Sequence, residues 1–278
     1  MRHKVELKEI GLDIGLAVAR HFYKTDYLHY GYWTEGLAVE PENVREAQEN
    51  YAELLLRNIP DGVKRILDVG CGSGKFAERL LEEGYAVDCV SPSPTLTRNA
   101  RERLGDRAEV FECKFEDLQT DRHYDLILFS ESFQYLLLEQ ALAKSLICLN
   151  PGGHLLICDF FKRDVPGKSP VSGGHQINRF LSFMAPQPFT LLKDEDITAE
   201  TAPSLDIMRD FIQEVVKPTW EAIAYYMASN YPRFSALFSH VFQKKIAQAH
   251  RKYLSGNTNG EQFAHFKTYR LFLFQQQG

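Results

Sequence analysis

Residues 66–76 read Ile-Leu-Asp-Val-Gly-Cys-Gly-Ser-Gly-Lys-Phe, ILDVGCGSGKF. A short apolar run carries an acid near its end and gives way to three glycines at alternate positions, Gly70, Gly72 and Gly74. The reading is strand, tight turn, helix, because glycine tolerates the positive φ of such a turn and lets a ligand approach the main chain. No Gly-Lys-Ser/Thr follows, as a phosphate-cradling loop would require. The third glycine also comes one residue too early for the G-x-G-x-x-G of a dinucleotide site. Asp68, just before the glycines, sets a carboxylate beside an amine-bearing or cationic ligand rather than a phosphate.

Outward from this loop, strand and helix patterns alternate. KFAERLLEEG (75–84) has apolar positions at helical spacing and a glycine stop. YAVDCV (85–90) reads as a strand and SPTLTRNARERLG (93–105) as a helix with a Ser-Pro entry. AEVFECK (108–114) and YDLILFS (124–130) are strands, EQALAKSLICL (139–149) is a helix, NPGG is a turn and HLLICDF (154–160) is a buried strand. This alternation predicts a doubly wound α/β core over 64–161, a parallel sheet covered on both faces.

The flanks differ. Residues 1–60 read as helical, with an aromatic cluster at 21–33, HFYKTDYLHYGYW. After the core come a Gly/Pro/Ser loop (162–176), a short helix (177–185) and a strand (189–198). Some sixty helical residues follow, in which Leu205, Met208, Ile212 and Val215 share one face, and Phe234, Leu237, Phe238, Val241 and Phe242 another. TYRLFLFQQ (268–276) reads as a last strand. The expected organisation is an N-terminal helical cap (1–60), a Rossmann-like cofactor-binding core (61–202), a helical substrate lid (203–262) packed onto that core, and the final strand of the core sheet (263–278).

Composition bounds the function. The chain has 278 residues, 44% hydrophobic and 25% charged, with a net charge of −5, which suits a globular fold and disfavours a nucleic-acid partner. No apolar run is long enough to span a bilayer, and the N-terminus lacks a signal-peptide core. The five cysteines, Cys71, Cys89, Cys113, Cys148 and Cys158, form no CxxC pair or Cys/His cluster. They read as free thiols of a cytoplasmic protein, with neither a disulfide framework nor a metal site.

LDVGCGSG resembles motif I of the class I methyltransferases that use S-adenosylmethionine. HYGYW ahead of it, YDLILFSESFQYL and LNPGGHLLICDF resemble further segments of the small-molecule members, the tocopherol, sterol, sarcosine and natural-product methyltransferases. The resemblance implies a cofactor site in which Gly70, Gly72 and Gly74 line the methionine and ribose, with Asp68 facing the amino group or orienting the loop. Ser91 and Pro92 would lie at the ribose and Ser130 at the end of the fourth strand. The backbone at Phe115 would read the adenine edge while its ring packs on the adenine face, and Glu116 would meet the adenine amine. Tyr23, Tyr30, Tyr32 and Trp33 would close over the methionine end. The sequence departs from the family twice: Ser91 stands where an Asp or Glu accepts both ribose hydroxyls, and Lys114 where an Asp often contacts the adenine amine.

Methyl transfer from a sulfonium requires alignment and exclusion of water, and a base only where the acceptor loses a proton. In an open α/β sheet the acceptor site lies at the carboxyl ends of the strands. Glu131 and Tyr135, after the fourth strand, and His175, in the long loop after the fifth, are the candidate catalytic residues; Gln134 and His29 adjoin them. The apolar lid suits a small, largely hydrophobic acceptor methylated on C, N or O. Two further readings stay open: the same fold and cofactor with a non-methylating reaction (a cyclase or cyclopropanation), or a non-catalytic adenosyl-binding protein. A homodimer is compatible with the pattern.

Overall fold

The computed structural model describes residues 7–249, 254 and 256–277. The first six residues of the expected cap, positions 250–253 and 255 of the expected lid, and residue 278 lie outside the described residues.

Helix α1 (Leu7–Val18) runs into a π-helical turn at Ala19–Tyr23, closed by Lys24 at φ 54°. After an irregular stretch comes α2 (Val44–Leu56). The core then alternates: β1 (Arg65–Val69), α3 (Lys75–Glu82), β2 (Ala86–Val90), α4 (Pro94–Leu104), β3 (Val110–Phe111), β4 (Tyr124–Ser130), α5 (Leu138–Cys148) and β5 (Leu149–Lys162). It ends with α6 (Ile177–Met184), β6 (Phe189–Asp196), α7 (Thr198–Thr201), α8 (Pro203–Phe211), α9 (Lys217–Asn230), α10 (Pro232–Ala249), α11 (Gly260–Phe266) and β7 (Lys267–Gln276).

The strands form one seven-stranded sheet in the order β3-β2-β1-β4-β5-β7-β6. β1 to β5 are parallel, while β7 runs antiparallel to both β5 and β6. This is the doubly wound, Rossmann-like sheet expected from the sequence. Its central strands are apolar throughout because both faces are covered. On β4, Leu126 and Leu128 join the cluster under α2, α3 and α4, while Ile127 and Phe129 join the one under α5 and α6.

Three expectations need correction. The third strand shrinks from 108–114 to two residues, since it lies at the sheet edge and Asp117 N–H already turns back to Lys114 O. The aromatic stretch after Lys24 is not helical. Its backbone is satisfied from a distance, by Tyr32 N–H on Ala47 O (2.7 Å) and Trp33 N–H on Glu200 O (2.8 Å), which replace the i→i−4 bonds of a helix.

The helices between β6 and β7 divide into two kinds. α8 and α11 are core elements, with Leu205 and Phe263 both 0% exposed. α9 buries no residue, and the described side chains of α10 are all at least partly exposed. The stripe of Phe234, Leu237, Phe238, Val241 and Phe242 exists as read, but it does not face the core.

Leu205→Ala should therefore cost about 2–5 kcal/mol of stability, whereas Leu237→Ala, 63% exposed, should stay within about 0.5 kcal/mol of the parent. Urea unfolding of the two variants checks this.

Candidate active site

The loop after β1 uses its glycines in two ways. Gly70, Gly72 and Gly74 all have positive φ (83°, 56° and 77°). A Cβ on Gly70 would overlap the Cβ of Ser132, whose hydroxyl is fixed by donating to Val69 O at 2.5 Å. A Cβ on Gly74 would lie 3.0 Å from Ala100 Cα of α4. Gly72 meets nothing closer than Leu28 Cδ1 at 3.7 Å. Packing closes the loop at its ends and leaves its middle uncrowded, since a Cβ there would make only an ordinary contact, and this is the side on which a ligand could approach.

Beside this opening Asp68 is 3% exposed, and burial alone raises its carboxyl to about 7. The loop is clamped from above by the N-terminal segment. Ser73 Oγ donates to Asp26 O (2.6 Å), and Arg103 pairs with both Asp26 (2.8 Å) and Glu78 (2.9 Å). Burial pushes Asp26 up, but hydrogen bonds from Arg20 and Arg103 outweigh it and hold the carboxyl below its ordinary value.

At the end of β2, Ser91 is buried; its Oγ accepts the Ser93 N–H (3.3 Å) while Pro92 stays exposed. After β3, Phe115 is 1% exposed and packs edge-on against Phe129 at 5.4 Å. Its ring belongs to the core, which corrects the expectation of a ring stacked on adenine; only the backbone of this turn remains to read an edge. Glu116 has a buried Oε2 without a hydrogen-bond partner among the described residues, so it carries an unspent acceptor, while Lys114 points to solvent.

The carboxyl end of β4 holds the densest polar cluster. Glu131 adopts φ 52° and its Oε1 accepts both Tyr30 N–H and Tyr269 O–H at 2.7 Å. Tyr269 is in turn 3.0 Å from Tyr51 Oη, which lies 3.2 Å from Ser130 Oγ. With Glu131 ionised, each hydroxyl in this chain can donate toward it. Burial raises Glu131 to about 7, against the two hydrogen bonds that lower it. Asp159 on β5, 1% exposed, accepts Gln134 N–H (2.9 Å) and Phe160 N–H (2.8 Å), and burial followed by the field of Glu131 raises it to about 8.

The other candidates separate. Tyr135 stands at the rim, 59% exposed. His175 is placed near by, but its Nε2 lies 3.2 Å from Phe133 O, and since a carbonyl only accepts, that nitrogen carries the proton. Through that nitrogen it braces the 163–176 loop against the turn after β4. His29 stacks on Tyr51 at 4.2 Å, and burial lowers it to about 4, so it stays neutral.

The aromatic quartet also splits. Tyr30 faces the Glu131 cluster and lies parallel to Phe160 at 6.5 Å. Trp33 is 6% exposed, packed with Ala47 and Ile207, with Tyr23 against the same cluster and its indole N–H on Ser204 Oγ (3.0 Å). Tyr32 lies under the Arg57 guanidinium, 6.0 Å from the ring centroid. Trp33, Tyr23 and Tyr32 thus fasten the N-terminal segment to α2, α7 and α8 and do not join Tyr30.

Sequence reasoning missed Tyr51, Ser132, Asp159, Lys267 and Tyr269. Lys267 is 0% exposed, donates to Gly173 O (2.5 Å) and lies 5.1 Å from the centre of the Phe160 ring; burial and then Lys162 lower it to about 8. An acid inside the apolar run HLLICDF was the available signal for Asp159. No local signal marks the two tyrosines.

Residues 43–218 match the methyltransferase domain family. The chain belongs to that family. It is 31% identical over 121 residues to a malonyl-[acyl-carrier protein] O-methyltransferase of Anoxybacillus flavithermus, covering 42% of this chain and 46% of that protein. An uncharacterized methyltransferase of Geobacillus sp. (strain WCH70) is 29% identical over 127 residues, 44% of this chain and 60% of that one. The matches thus span about half the length of these curated relatives. Among solved structures the fold is similar to the [4+2]-cyclase SpnF, with a TM-score of 0.70 and 20% identity over 98% of this chain and 94% of that one. It is also similar to geranyl diphosphate C-methyltransferase from Streptomyces coelicolor A3(2), with a TM-score of 0.64 and 17% identity over 98% and 100% of the two chains.

In this methyltransferase-family chain the two kinds of glycine should respond differently. Gly70→Ala combines a forbidden φ with overlap on Ser132 and should cost at least about 2 kcal/mol. Gly72→Ala meets only the φ penalty, about 1–2 kcal/mol. Denaturant melts of both variants make the comparison.

Proposed function

We propose that the protein transfers the methyl group of S-adenosylmethionine to a small, largely apolar acceptor, on carbon, nitrogen or oxygen, by in-line displacement at the carboxyl edge of the sheet. The observation that carries this reading is the uncrowded, positive-φ backbone of Gly72 in a loop whose other two glycines are closed by packing. The unspent acceptor of Glu116 and the buried carboxyl of Asp68 fit the same cofactor.

The loop backbone at 70–74 would hold the methionine and ribose, Asp68 the amino group, Ser91 and Pro92 the ribose edge, and Glu116 with the Phe115 backbone the adenine. When bound, S-adenosylmethionine supplies a methyl group made electrophilic by its sulfonium. Tyr30, with Phe160 and Phe263 around it, excludes water from the acceptor side. For an acceptor that loses a proton, Glu131 takes that proton on its carboxylate, and Tyr269 and Tyr51 stabilise the charge until then. Ser130 ends that chain of hydroxyls, and Tyr135 orients the acceptor at the rim.

In this reading residues 1–60 cap the site, 61–202 form the cofactor-binding core, α8 and the start of α11 are the part of 203–262 that closes over the acceptor, and 263–278 complete the sheet. The partner is a small molecule and the compartment the cytoplasm, in keeping with five free cysteines. Likeness of fold to a [4+2]-cyclase favours a second reading: the same cofactor bound without methyl turnover. Calorimetry with S-adenosylhomocysteine, followed by methyl-transfer mass shifts on candidate acceptors, separates the two.

S-adenosylhomocysteine should bind at one site per chain, with NAD as the non-binding control. Ser91→Asp should tighten that binding about tenfold or more, since it adds a charged hydrogen bond of about 1.5–3 kcal/mol. With an O–H or N–H acceptor, kcat/KM should rise with pH as Glu131 gives up its proton near 7. Glu131→Gln should abolish that step and lower the rate by roughly 10²–10⁴.

A further inference from the structure

Helices α9 and α10 form a hairpin that the core leaves uncovered. On α10, Phe234, Leu237, Phe238, Val241 and Phe242 recur at the i, i+3, i+4, i+7, i+8 spacing that normally turns a helix face inward. Here Phe234, Leu237 and Val241 are 58%, 63% and 62% exposed. Three of the rings form a ladder along the helix, with centroids 6.2 Å apart for Phe234–Phe238 and 4.8 Å for Phe238–Phe242. α9 adds Trp220, Ile223 and Tyr226, 45%, 53% and 56% exposed. A contiguous apolar face of this kind marks an interaction site.

Charge decides what the face meets. By sequence, α9 and α10 (217–249) hold four Lys/Arg (Lys217, Arg233, Lys244 and Lys245) against one acid, Glu221, in a chain whose net charge is −5. The segment is cationic on an otherwise strongly acidic protein. A second copy docking through the same face would set like charges together, as a two-fold interface requires self-complementarity. An anionic partner is complementary.

Between an acidic protein and an anionic bilayer, the side chains favour the bilayer. The Phe stripe with Arg233 and Lys244 on α10, a helix about 27 Å long, together with Trp220 and Tyr226 on α9, matches helices that lie in the headgroup region with their apolar face in the acyl boundary. No described helix is long and apolar enough to cross a membrane, so the hairpin would lie on the surface. We propose that the α9–α10 hairpin docks the protein on an anionic lipid surface, with the Phe234–Phe242 stripe inserted and the basic side chains at the headgroups. This inference does not depend on the methyl-transfer reading.

The test is co-sedimentation of the full chain with phosphatidylcholine vesicles, with and without phosphatidylglycerol. Binding should be at least tenfold tighter to the anionic vesicles, because the basic side chains are attracted to a negative surface, and should weaken in about 0.5 M salt. Phe234→Asp with Phe238→Asp should abolish it while melting temperature is unchanged. If that pair fails to fold, Leu237→Ser and Lys244→Glu should each weaken binding instead. Absence of vesicle binding, or binding that the folded variants leave intact, overturns the proposal. So does a dimer in light scattering that Phe238→Asp dissolves, which assigns the face to a second copy. Saturable binding to a purified acyl carrier protein through the same residues, without vesicle binding, assigns it to an acidic protein. A blue shift of Trp220 fluorescence on adding S-adenosylhomocysteine alone, again without vesicle binding, makes the face that of a closing lid.

Discussion

The Glu131 carboxylate joins three parts of the chain that are far apart in sequence. One oxygen accepts the main-chain N–H of Tyr30 and the hydroxyl of Tyr269, 101 and 138 residues away. To reach them Glu131 adopts φ 52°, at a strain of order 1–3 kcal/mol for a side chain without special tolerance of that region. Two hydrogen bonds to a charged acceptor, each about 1.5–3 kcal/mol, outweigh that strain. The N-terminal segment, the end of β4 and strand β7 therefore meet at one carboxyl group, which adds the N-terminal segment to a β4–β5–β7 arrangement already set by strand pairing.

Around that charge, burial outweighs attraction. Asp159 is raised to about 8 and Lys267 is lowered to about 8, with burial the first cause in each. Both shifts run toward the neutral form. If mutual attraction dominated, the acid would fall and the base would rise. The edge of the sheet is thus a region of low polarity whose titratable groups sit close to neutrality, the setting in which proton transfers are easily balanced.

Much of the fold was legible because parallel strands buried on both faces read as continuous apolar runs, and because three alternate glycines announce the turn after β1. The loop was legible as a site, though not the division of labour within it, since only the packing of Ser132 and Ala100 distinguishes Gly70 and Gly74 from Gly72. Other features were beyond a local reading. Within residues 24–40 the N–H groups of Tyr30, Gly31, Tyr32 and Trp33 are satisfied by Glu131, Ser204, Ala47 and Glu200, partners outside any local window of sequence. The α10 stripe shows why periodicity stops short: it says which residues share a face and nothing about what that face meets. Tyr51 and Tyr269 meet across 218 positions, and Phe115, an aromatic beside the expected adenine turn, was claimed by the core.

Strand order in the sheet departs from strand order in the chain where β1 neighbours β4, and again beyond β5. β7, made after β6, lies between β5 and β6, so β6 has no hydrogen-bonded neighbour until residues 267–276 have been synthesised. At roughly 5–20 residues per second on the ribosome, the interval between completing β6 and completing β7 is several seconds. Throughout it β5 presents an open edge and Glu131 lacks the hydroxyl of Tyr269. A nascent chain is therefore held short of both a closed sheet and a finished site until residues 267–276 have been made.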